Sequence, residues 1–168
     1  GGGLGGGCGG GGGGGGGFWF ITKGEPLMYQ IHHIQITVND VKKAEPFYDQ
    51  LFHLLGFDVQ KKYSGYLEHA DMEVVEYLSD TFDFGICSPK QEWINETIDS
   101  RKPGSLQHIA FKAESREAVD AIYPKIKALG VKILHGKPME YKERIAPNYY
   151  ALFFETPEGL RFEIFHYA

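Results

Sequence analysis

Pro157-Glu158-Gly159-Leu160-Arg161-Phe162-Glu163-Ile164-Phe165 reads as a turn followed by a strand. Proline presets φ and glycine accepts φ > 0, so Pro-Glu-Gly reverses the chain tightly. Leu160, Phe162 and Ile164 then alternate with Arg161, Glu163 and Phe165. Alternation at period two sends the two sets to opposite faces. The first set is an apolar face for a core, and Glu163 points the other way. A lone glutamate so placed is usually a solvated carboxylate. It becomes a candidate metal ligand only if the rest of the chain brings imidazoles to the same face.

Upstream, Tyr149 to Glu155 pairs with Leu160 to Tyr167 as a closing hairpin. Before it come a strand over Leu106 to Ala113, a helix from Arg116 to about Leu129, a strand over Val131 to Leu134 and a loop from Gly136 to Asn148. Ala118, Val119, Ile122, Ile126 and Leu129 carry the helical spacing. The first half runs the same way. Tyr29 to Val38 is a strand, and Asn39-Asp40 caps a helix from Val41 to about Leu55. Strands are expected over Phe57 to Tyr63, Met72 to Leu78 and Phe82 to Ser88, with turns at Ser64-Gly65 and Ser79-Asp80. Residues 89–105 are a polar, proline-containing connection.

The halves are copies in pattern. His33-Ile34-Gln35-Ile36 matches His108-Ile109-Ala110-Phe111, and Leu55-Gly56-Phe57 matches Leu129-Gly130-Val131. A duplicated strand–helix–strands unit points to an α+β fold. Two such units side by side form a curved sheet, helices outside, whose concave face collects His33 and His108. His32 must point away from that face, and His53, His69, His135 and His166 have no paired placement. Two imidazoles and the Glu163 carboxylate on one face suit one divalent metal: Fe, Mn, Ni, Zn or Co.

The chain has 168 residues, and its first 17 are glycine apart from Leu4 and Cys8. Polyglycine has no side chains to bury, so residues 1–27 are expected to be a disordered or artefactual leader. A net charge of −5 argues against nucleic acid as a partner. Two cysteines make no disulfide framework, which favours a cytoplasmic setting. No apolar run has the length of a membrane span.

At these residues the chain resembles the vicinal oxygen chelate superfamily of glyoxalase I, extradiol dioxygenases, fosfomycin-resistance transferases and bleomycin-resistance proteins. The resemblance rests on His33-Ile-Gln-Ile-Thr-Val-Asn-Asp, Phe47-Tyr48, Leu55-Gly56-Phe57, Gln107-His108-Ile109-Ala110-Phe111 and Thr156-Pro157-Glu158-Gly159 leading to Glu163. It implies a single domain over 28–168, with paired βαβββ modules at about 29–88 and 106–168. It also implies His33, His108 and Glu163 as metal ligands, with Glu163 doubling as a catalytic base.

The chain departs from the family pattern twice. Glyoxalase I-like members draw a further ligand from the last strand of the first module, where this chain has Gly85. Asp83 is the nearest oxygen ligand and lies two residues early. Dioxygenases carry an acid–base tyrosine where this chain has Phe153, with Tyr149 and Tyr150 upstream.

The resemblance therefore implies a metal-dependent lyase, isomerase or dioxygenase acting on a small oxygen-chelating substrate. The alternative is a metal-free, drug-binding protein of the bleomycin-resistance type. Substrate contacts are expected from Gln35, Arg144, Tyr149, Tyr150 and Phe153. A homodimer is the family's habit. In its swapped form, His33 of one subunit joins His108 and Glu163 of the other; pairing within the chain is the other arrangement.

Overall fold

The computed structural model describes residues 29, 31–97, 99–142 and 146–167, so the leader at 1–27 lies outside the described residues. Ile31–Ala168 form one compact unit. In chain order its elements are β1 (His33–Thr37), α1 (Val41–Leu54), β2 (Tyr63–Leu67), β3 (Met72–Tyr77), β4 (Asp83–Cys87), β5 (Ile109–Lys112), α2 (Arg116–Ala128), β6 (Lys132–Glu140), β7 (Tyr150–Glu155) and β8 (Arg161–His166). Among the described residues no helix is long and apolar enough to cross a membrane.

The repeat is realised strand for strand. One sheet has the order β1-β4-β3-β2 and the other β5-β8-β7-β6. In each, the first strand lies parallel to the last, and the remaining pairs are antiparallel. The helices start on matching caps. Asp40 accepts from the Lys43 amide at 3.1 Å and Ser115 from the Ala118 amide at 3.1 Å.

The single curved sheet expected from the repeat resolves into two sheets of four strands, which share a core on their helix-facing sides. Phe52 of α1 packs on Tyr77 and Phe84, each with ring centroids 4.6 Å away. Phe84 meets Phe162 of the second module at 6.0 Å. The Tyr48 hydroxyl crosses between modules to donate to Glu158 at 3.1 Å. Burial, then the neighbouring Glu158 charge, pushes that phenol far above its ordinary range. Each sheet thus turns its helix-free face away from the shared core, and β1 and β5 are edge strands.

Two expected elements fall elsewhere. Phe57 to Tyr63 is not a strand. The Phe57 ring packs on Phe52 at 5.0 Å, and Asp58 caps a short 3₁₀ turn over Val59–Lys61. Pairing with β3 then begins at Tyr63, so Ser64-Gly65 lies inside β2 rather than in a turn. The reversal comes at Glu68–Ala70, closed by Asp71 at φ 51°. Likewise, Gly136 to Glu140 is not loop but the second half of β6. The pairing of β6 shifts register between Leu134 and Met139, with His135 at φ 59° and Gly136 at φ 81°. Such a bulge belongs on an edge strand, which also tolerates Pro138 because its missing N–H faces no partner.

Candidate metal and substrate site

Glu163 sits on β8 in register with Ala110 of β5 and Phe153 of β7, on the helix-free face of the second sheet. It is 1% exposed, although its strand neighbours on that face are Arg161 and Phe165. Burying a carboxylate is costly unless its oxygens find partners. The Tyr149 hydroxyl donates to Oε1 at 2.7 Å, and His108 Nε2 stands 3.2 Å from Oε2. His108 immediately precedes β5, and one third of its side chain is exposed. Its Nδ1 faces the Gln107 amide oxygen. Nε2 and the carboxylate are thereby set side by side, an imidazole nitrogen and a carboxylate oxygen of the kinds that ligate divalent metals.

Such a pair can share a proton or hold one cation between or beside it. Ligand atoms each about 2.1 Å from one ion and at right angles to each other lie about 3 Å apart. The His108–Glu163 pair has that spacing.

The structure brings together His108, Glu163, Tyr149 and Phe153. The Phe153 ring meets the His108 ring edge to face at 6.2 Å. His33 and Gln35 lie apart from them, exposed on the helix-free face of the first sheet. Among the described residues no three His, Cys, Asp or Glu side chains converge within one chain. Tyr150 is turned away from the site. It alternates with Ala151 on β7, and its hydroxyl donates to Asp120 of α2 at 2.6 Å. Partial burial and that carboxylate push the phenol up to about 12. Arg144 lies outside the described residues.

The two departures from the family pattern have physical counterparts. Gly85 pairs with Gln35 of β1 and Glu76 of β3. The Glu76 side chain lies across the space a Cβ would fill, where Glu76 Oε2 would stand 2.5 Å from it. Its carboxylate accepts a hydrogen bond from Gln35. A carboxylate is thus present above Gly85, delivered from the neighbouring strand. Asp83 is instead committed to the turn, accepting from the Ser79 amide at 2.8 Å, with His32 Nδ1 at 3.7 Å. Phe153 leaves its place without a hydroxyl, and Tyr149 reaches Glu163 from just before β7.

Next to His108 a cavity of about 230 Å³ opens between Leu134, His135, Tyr141, Phe153 and Arg161. In the sequence, His135 has no paired placement and Arg161 stands only as one of the residues alternating with the apolar face. Two signals were available. Arg161 shares the strand parity of Glu163, and His135-Gly136 is a dipeptide suited to left-handed backbone.

With this geometry in view, comparison with known proteins shows the family. The Glyoxalase/Bleomycin resistance protein/Dioxygenase superfamily model matches residues 30–164, and the chain belongs to that superfamily. A solved structure from Bacillus halodurans, described provisionally as a glyoxalase, is 26% identical with a TM-score of 0.65, covering 83% of this chain and 96% of its own. The uncharacterised protein YqjT of Bacillus subtilis is 25% identical over 134 residues, 80% of this chain and 96% of YqjT. The fosfomycin resistance protein FosX of Listeria monocytogenes shares the fold at 20% identity, with a TM-score of 0.53 over 84% of this chain and 94% of its own.

Proposed function

We propose that the chain is a divalent-metal-dependent enzyme of the glyoxalase/dioxygenase type. It acts on a small oxygen-chelating substrate by lyase, isomerase or dioxygenase chemistry. The observation that carries this reading is the buried Glu163 carboxylate with His108 Nε2 at 3.2 Å and Gln107 against the other ring nitrogen. His108 and Glu163 would hold the metal, one of Fe, Mn, Ni, Zn or Co. His33 of a second copy would be the third ligand, since among the described residues no third His, Cys, Asp or Glu of the same chain joins His108 and Glu163. When bound, such an ion polarises a substrate oxygen and stabilises the negative charge developing on it.

The chain's own residues do the rest. Tyr149 fixes Glu163 through Oε1 and leaves Oε2, the oxygen beside His108, facing the metal site. Phe153 and Leu134 exclude water from one side of the cavity. Gln107 holds the His108 ring in place.

A second reading, metal-free binding of an aromatic drug, draws on the ring cluster of Phe153, Tyr141 and His135. Metal content by plasma mass spectrometry separates the two. Wild type and His108→Ala are reconstituted identically and desalted. About one transition metal per chain, lost in the variant, is the expected result. No metal in either protein would sink the enzyme reading in favour of drug-binding titrations.

A further inference from the structure

The cavity beside His108 has a wall and a charged end that the metal reading leaves unused. The wall is aromatic. Tyr141 and His135 meet Phe153 edge to face at 5.4 and 6.1 Å, and each other at 6.0 Å. His135 reaches this cluster because the β6 bulge holds it at φ 59°. A non-glycine residue in that region costs energy and persists only where its surroundings hold it there.

The charged end is Arg161, on the same face as Glu163 and two residues before it. Glu155 Oε1 engages Arg161 Nε at 3.2 Å, and Glu155 Oε2 takes Lys132 Nζ at 2.8 Å. These two cations, Lys132 first, hold the Glu155 carboxyl below its usual range. Two cations share this one carboxylate, and of the three groups Arg161 is the one that lines the cavity. Arginine has five N–H donors, and the contact through Nε occupies one. A planar guanidinium of this kind suits bidentate capture of a carboxylate.

Size narrows the ligand. At about 30 Å³ per water, the 230 Å³ space holds the equivalent of roughly seven or eight waters. That is room for a compact molecule.

We propose that this cavity is the subsite for a compact organic carboxylate. Its anionic group lies on Arg161, its apolar body on Phe153 and Tyr141, and its far end is directed at His108. The assignment rests on reading the His108–Glu163 site as the active site, and it adds the substrate's chemical class.

The test is an NMR titration of chelator-stripped full-length protein with benzoate and with benzamide, its uncharged analogue. Benzoate is expected to bind the wild type and to bind Arg161→Met at least about 10-fold more weakly, the loss of a charge-assisted hydrogen bond. Benzamide should bind the wild type about 10-fold more weakly than benzoate, for the same reason. Glu155→Gln breaks the same cross-strand pair yet frees Arg161, so it should bind benzoate at least as tightly as wild type. A merely structural role for the pair would weaken both variants alike. The proposal is overturned if benzoate fails to bind the wild type, if Arg161→Met binds it equally well, or if benzamide matches benzoate. The titration uses metal-free protein, so its failure leaves the metal reading standing. Conversely, a protein that takes up no metal but still discriminates through Arg161 keeps the subsite.

Discussion

Tyr149 donates to Glu163 from a backbone position just before β7, where its ring stacks on Phe165 at 5.2 Å and lies nearly parallel to it. A buried carboxylate depends on each such donor, because a lost partner leaves an oxygen neither hydrated nor bonded. Tyr149→Phe keeps the stack and removes the hydroxyl. It is expected to cost about 1–3 kcal/mol in urea unfolding; a change below about 0.5 kcal/mol would mean that another group already satisfies Oε1. Glu163 was legible in the sequence, because alternation alone separates it from Phe162 and Ile164. His108 was legible from its place in the repeat. Arg161 and His135 were not singled out. Their roles depend on what lies across the sheet, on Glu155 for one and Phe153 for the other.

Among the elements, β3 and β4 show how a missing side chain on one strand is answered by its neighbour. The Glu76 carboxylate lies over Gly85 and binds Gln35. A Cβ at position 85 would come within 2.5 Å of Glu76 Oε2 and 2.8 Å of Gln35 Cγ. Gly85→Ala therefore has to drive the carboxylate off Gln35, at an expected cost of about 1–3 kcal/mol. A double-mutant cycle with Glu76→Ala should recover most of that loss in chemical denaturation. Additive losses would show that the clash is with backbone instead.

The strand–helix–strands repeat was legible because caps and apolar spacing are local. The start of β2 and the second half of β6 were not. Phe57 is drawn down onto Phe52, and the His135-Gly136 bulge makes strand residues look like loop. Both outcomes are decided by packing and by sheet edges, which one-dimensional patterns do not carry.

Over the whole molecule, the two modules share an apolar core on their helix-facing sides. His33 and the His108–Glu163 pair consequently stand on different sheets. If two copies complete one another's sites, a chain carrying His33→Ala and a chain carrying His108→Ala should rescue each other. Neither homodimer has a full ligand set. After joint unfolding and refolding, the hybrid dimer regains one, so mixing should recover about one metal per hybrid. No recovery on mixing would place all the ligands within a single chain.

The connection between the modules, from Ser88 to His108, carries a single 3₁₀ turn at Gln91–Trp93 among its described residues and exposes Trp93 and Leu106. Besides this covalent tether, the modules are held together by Phe84 on Phe162 and by Tyr48 on Glu158. A protease that nicked the chain there would leave two complementary fragments still clasped together. The same logic makes the segment a permissive site for a break in the chain.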